Sequence, residues 1–170
     1  MDPFATLGIA RTFDVDLVAA ERAHRALSRA LHPDRFVGAG SSERRAALGK
    51  AIEANEAWRI VRDPIRRAEA LLQLAGVDLS EERAPVAAPE FLMEMLELRE
   101  ALSEARRARD IGAVQALAAT MEVRAQGVER RLGAGFAQGE TGDLAGPLGE
   151  LRFCRRFLDE VGAIRDELAA

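Results

Sequence analysis

The chain has 170 residues, 48% hydrophobic and 31% charged, with a formal net charge of −4. That length suits one ordinary domain or two small ones, the acidic balance argues against wholesale nucleic-acid binding, and no stretch has the apolar length of a membrane span. A single cysteine, Cys154, rules out an internal disulfide framework or a cysteine-cluster metal site, and two histidines leave little material for metal or acid–base chemistry, so neither cofactor nor metal is expected.

Alanine, leucine, glutamate and arginine dominate and β-branched runs are few, which predicts an all-α fold without a sheet. The first residues carry Asp2 and lack a basic region leading into an apolar run, so no secretory signal is expected. A short helix is predicted from Asp2 to Leu7, stopped by Gly8; it is too short to persist alone, and Phe4 and Leu7 are placed to dock it onto something larger. The next helix starts near Asp14 or Asp16, where an aspartate caps free amides. Leu17, Ala20, His24, Leu27 and Leu31 recur at threes and fours as one buried face, which makes His24 core; Arg22, Arg25 and Arg29 form a second stripe. Pro33 ends this helix around Leu31, because the residue before a proline avoids helical geometry.

A loop follows from His32 to about Ser42, and Ser41 or Ser42 caps a third helix with Ala47, Ala51, Ala54, Trp58 and Val61 on one face. Asp63-Pro64 breaks the chain before a fourth helix, Ile65 to Leu74, closed by Gly76. Residues 77–89, with Pro85 and Pro89, read as a linker between a first domain, 1–76, and a second, 90–170. Three helices are predicted in the latter, at about 90–107, 110–133 and 147–168, packed as an antiparallel bundle. A loop rich in glycine, from Gly133 and Gly135 through Gly139, Gly142 and Gly146 to Pro147, is expected between the last two.

Two places carry candidate function. At His32-Pro33-Asp34 the proline fixes its φ and leaves His32 and Asp34 on a rigid polar knob. Beside it stand the Arg22, Arg25, Arg29 stripe and Arg35, a cationic face suited to an acidic protein partner. Taken alone, the tripeptide is also an ordinary turn; a hydrolytic role for His32 and Asp34 lacks a placed serine or cysteine nucleophile. On the helix 90–107, steps of 100° put Phe91, Met95, Leu98, Leu102 and Ala105 on a core side. Leu92 and Leu96 fall on the flank, and Met93 joins Glu97, Glu100 and Glu104 on the far side: an apolar patch with an acidic rim, the anatomy of a protein interface. The other possibility is that Leu92 and Leu96 pack against the first domain or a neighbouring helix. In the last helix Phe157, Val161, Ile164 and Leu168 group as core, and Phe153 sits at the edge of that face, where partial exposure is expected.

Phe4, the stretch Leu27 to Phe36, and the block Asn55-Glu56-Ala57-Trp58 through Asp63-Pro64 and Arg67-Ala68-Glu69 resemble a J domain. With Leu71-Leu72 and the run Phe91 to Glu100, they resemble the HscB family of iron–sulfur cluster assembly co-chaperones over most of the chain. The resemblance implies an N-terminal J domain, a helical hairpin with short flanking helices, and a C-terminal three-helix bundle. It implies that His32, Pro33 and Asp34, with Arg22, Arg25, Arg29 and Arg35, engage an HscA/DnaK-type chaperone and stimulate its ATPase. By the same resemblance Leu92, Met93, Leu96, Glu97, Glu100, Glu104 and Phe153 bind the scaffold IscU. The chain would then be a cytoplasmic co-chaperone, not an enzyme, with no nucleic-acid or membrane partner. His24, where relatives often carry an aromatic residue, and Arg35, where lysine is common, depart from the pattern. A J-domain co-chaperone for a different client is the alternative. Cys154 is expected to be packing; were its thiol exposed, Arg152, Arg155 and Arg156 would lower its pKa.

Overall fold

The structure, a computed structural model, describes residues 1–79 and 89–169. Among these, regular structure is helical and no strand forms, as expected for an all-α chain. Residues 80–88 of the expected linker lie outside the described residues; Val77 to Leu79 is without helix, and Pro89 already opens the next one. Two compact units result: residues 1–78 with 136–141 form the first, and the remaining described residues the second.

In the first unit α1 spans Pro3–Leu7. Asp2 caps it, accepting from the amides of Phe4 at 3.0 Å and Ala5 at 3.2 Å, and Gly8 closes it at φ 67°, a left-handed geometry that glycine adopts without steric cost. Phe4 and Leu7 are buried, which is what keeps so short a helix formed. Helices α2, Leu17–Ala30, and α3, Ser41–Arg62, make a hairpin. Alanines line the buried side of α3 (Ala47, Ala54 and Ala57, then Val61), so neighbouring backbones can approach closely.

Helix α4, Pro64–Leu74, starts at a second aspartate cap, Asp63, bonded to the amides of Ile65 and Arg66. Arg67 is buried, donates to the Val61 carbonyl at 2.7 Å and lies 4.8 Å from the Phe13 ring centre, closing the corner between α3 and α4. Phe136 also stacks on Phe13, at 5.6 Å between ring centres.

Three expectations in this unit are corrected. Leu17 is 42% exposed rather than buried, because it is the first residue after the Asp16 cap and the covered stripe begins one turn later, at Ala20. Neither Ser41 nor Ser42 caps α3: Gly40 occupies the cap in extended geometry, which puts both serines inside the first turn. His24 is only half-buried; its ring stacks on Trp58, 5.7 Å between centres, and its Nε2 lies 2.9 Å from Asn55 Oδ1. It therefore joins α2 to α3 by a polar contact as well as by packing.

The second unit consists of α5, Pro89–Arg107, the part of α6, Ile111–Gln138, up to Gly135, and α7, Ala145–Ala169. Met95 and Leu102 from α5, Val114 and Met121 from α6, and Phe157, Val161 and Ile164 from α7 meet in one core. Asp110 accepts from the Ala113 amide at 2.9 Å and starts α6 directly after Arg109, whose φ of 53° turns the chain.

The expected end of α6 near residue 133 is too early. Gly133 and Gly135 are helical and buried, and the helix continues to Gln138, followed by Gly139 at φ 76°. A glycine costs a helix interior only about 1 kcal/mol, and here packing demands it: a Cβ at Gly135 would stand 2.5 Å from Leu144 Cδ2. Helix α7 likewise starts earlier than expected, with Pro147 inside its first turn, where a missing N–H leaves no helical bond unmade.

Candidate partner-binding sites

The first candidate site is built by the end of α2. His32 leaves the helix in extended geometry and caps a 3₁₀ turn, Pro33–Phe36. The Asp34 amide points at His32 Nδ1 at 3.4 Å, and the Arg35 amide donates to the His32 carbonyl at 3.0 Å, so the turn is held by its own backbone. Asp34 Oδ2 lies 3.4 Å from His32 Nδ1, and the two side chains are 85% and 59% exposed. Arg22, Arg25, Arg29 and Arg35 are all exposed, and Arg25 pairs with Glu21 at 2.7 Å. A preformed polar knob beside exposed guanidinium groups is what an acidic protein surface can grip.

On α5 the described side chains divide into two sets. Met95, Leu102 and Ala105 are buried, and Phe91 and Leu98 pack against the same core. Leu92, Met93 and Leu96 are 53%, 60% and 57% exposed, and Glu97, Glu100 and Glu104 are exposed beside them. These three apolar residues are surplus to the core; such a set with a charged rim has the make-up of a docking surface.

Phe153 does not show the partial exposure expected of it. It is 8% exposed and belongs to the core, with the Phe91 ring edge-on at 6.0 Å and Phe157 at 6.2 Å. The Arg99 guanidinium stands 5.8 Å from its ring centre. Phe91 and Arg99, both from α5, lie against this ring, and position on the edge of one helix's apolar face does not reveal what a neighbouring helix lays over it. Cys154 is fully buried, and burial, assisted by the Glu150 carboxylate, pushes its thiol up, contrary to the lowering that nearby arginines would give an exposed thiol.

A cluster of charges that sequence reasoning missed ties this unit together. Arg124 of α6 donates to Glu94 of α5 and, through Nε at 2.8 Å, to Glu150 of α7; Arg131 of α6 donates to the other oxygen of Glu150. The Arg124 guanidinium also lies 5.5 Å from the Phe91 ring centre. The hydrogen bond to Glu94 is the main cause holding Arg124 above its ordinary value, partial burial opposing it and Glu150 adding to it. No local spacing marks these partners, which come from three different helices. Among the described residues no group of His, Cys, Asp or Glu is placed to hold a metal ion, and no helix is long and apolar enough to cross a membrane.

Residues 87–162 match the family described as the HSCB C-terminal oligomerisation domain. Co-chaperone protein HscB homolog of Burkholderia multivorans is 39% identical over 151 residues, covering 89% of this chain and 86% of that protein. The homolog of Cupriavidus taiwanensis is 38% identical over 169 residues, covering 98% and 95%. Among solved structures, chaperone HscB from Vibrio cholerae superposes with a TM-score of 0.87 at 31% identity, covering 99% of both chains. Human co-chaperone protein HscB gives 0.89 at 21% identity, covering 97% of this chain and 82% of the other, a likeness of fold.

Proposed function

The chain belongs to the HscB co-chaperone family, and from that membership we propose that it binds the iron–sulfur scaffold IscU, delivers it to an HscA/DnaK-type chaperone and stimulates that partner's ATPase. Residues 1–76 serve as the J domain and 90–170 as the scaffold-binding domain. His32, Pro33 and Asp34 engage the chaperone, with Arg22, Arg25, Arg29 and Arg35 as the cationic docking face. Leu92, Met93 and Leu96 anchor the scaffold within a rim of Glu97, Glu100 and Glu104. Phe153, buried against Phe91 and Arg99, contributes to scaffold binding by supporting the α5 face from below.

The observation that carries this assignment is the surplus apolar face of α5: three large side chains more than half exposed on a helix whose core stripe is complete without them. Carrying client and chaperone sites on one chain raises the effective concentration of one partner at the other. The catalytic step stays with the chaperone. The test is capture from a bacterial lysate with the full chain as bait. IscU as the principal client-side partner, lost when Leu92, Met93 and Leu96 are replaced by alanine, is the expected result. A different dominant client lost with the same three residues would favour a co-chaperone for that client instead.

A further inference from the structure

The exposed leucine and methionine at the start of α5 sit in the part of a helix least able to hold itself. The helix begins at Pro89, and the first turn of any helix lacks intrahelical partners for its amides. Leu92 and Met93 fall between Phe91 and Glu94, and both of these are held by one side chain, Arg124. That side chain is anchored in turn: its Nε bonds Glu150 of α7 at 2.8 Å, and Glu150 is fixed from its other oxygen by Arg131. Only a guanidinium suits this place. Its planar fork can serve two carboxylates at once and present a face to an aromatic ring; an ammonium is a point charge without that shape.

We propose that Arg124 is the positioning residue of the scaffold-binding turn, gripping Phe91 and Glu94 so that Leu92 and Met93 are held in their binding arrangement before the partner arrives. This rests on the assignment of that face to IscU. Ordering the turn in advance removes a cost otherwise met on binding, so affinity should follow the grip. Arg124 itself need not touch the partner.

The experiment compares the full-length wild type with Glu94→Gln, Arg124→Gln, Arg124→Lys and, as a control, Arg106→Gln. Arg106 pairs with Glu167 at 2.6 Å near the other end of α5, so its loss breaks an exposed ion pair of the same helix away from the turn. Amide hydrogen exchange is read at Met93 to Leu96 in the free protein, and IscU affinity by calorimetry. Glu94→Gln and Arg124→Gln are expected to speed exchange and weaken IscU binding by about threefold to tenfold, with Arg124→Lys between them and wild type. Arg106→Gln should change neither. Unchanged exchange and affinity in the first two variants would overturn the proposal, as would an equal effect of Arg106→Gln, which would mark a loss of general stability. Should wild type fail to bind IscU, the scaffold assignment falls, and the exchange data alone uphold or overturn the ordering role of Arg124.

Discussion

Replacing Leu96 by alanine should separate binding from stability, and Leu102→Ala on the same helix should do the reverse. Leu96 is 57% exposed and Leu102 is 1% exposed. Fully burying a leucine contributes about 1.5–3 kcal/mol, so the minor covered part of Leu96 contributes at most about 1.3 kcal/mol, offset slightly by the better helix propensity of alanine. Leu102→Ala leaves a cavity and should cost about 2–5 kcal/mol. At about 4–8 °C per kcal/mol for a unit of this size, Leu102→Ala should lower the melting temperature by at least about 8 °C, and Leu96→Ala by no more than about two-thirds as much as Leu102→Ala. For binding the order inverts. Truncating a central apolar anchor costs about 2 kcal/mol or more, about thirtyfold in affinity. Calorimetric titration of IscU, with a melting curve for each variant, reads both quantities. A folded triple variant of Leu92, Met93 and Leu96 to alanine that binds IscU like wild type would refute the assignment of this face. So would a melting temperature of the single Leu96→Ala variant as low as that of Leu102→Ala, because that side chain would then be core.

Asp34→Ala should abolish ATPase stimulation while leaving stability within about 0.5 kcal/mol and IscU affinity unchanged, since the side chain is 85% exposed; stimulation by the variant at the wild-type level would refute the role of the turn. Gly135→Ala should destabilise by about 1–3 kcal/mol in urea unfolding, because the new methyl meets buried Leu144. Gly127→Ala, in the same helix with nothing within 4 Å of the new atom, should stabilise by about 0.5–1 kcal/mol. At Asp2, burial opposes ionisation, but the Ala5 amide and Arg11 outweigh it and hold the carboxyl below its ordinary value. Its contribution is therefore fully present above the unfolded carboxylate pKa of about 4 and is lost as pH falls through the lower folded value. Asp2→Ala should cost about 1 kcal/mol at pH 7, and the difference from wild type should shrink on acidification below about pH 4 in denaturant titrations.

Local signals were the legible ones. Asp16, one of the two aspartates expected to cap α2, does so, and Gly8 stands in left-handed geometry where α1 stops, because caps and turns depend on a few neighbouring residues. The division of α5 into a core stripe and a surplus face was also readable, since helical spacing alone decides which residues share a side. What escaped depends on residues distant in sequence. Gly135 looks like a helix terminator until Leu144 is found against it. Phe153 looks like an edge residue until Phe91 and Arg99 are found beside it. His24 looks like core until its ring is seen on Trp58 with Asn55 at its nitrogen. The Arg124 cluster has no one-dimensional signature, because its charges come from three helices.

The central claim is that one chain couples a scaffold to a chaperone's ATPase, and the most direct measurement is the ATP hydrolysis rate of a purified HscA-type chaperone. It should be taken with this protein alone, with IscU alone, and with both. Stimulation by this protein that rises further when IscU is added, with the IscU-dependent part lost in the Leu92, Met93, Leu96 to alanine variant, is the predicted result. A rate that this protein leaves unchanged in the presence and absence of IscU would contradict the account.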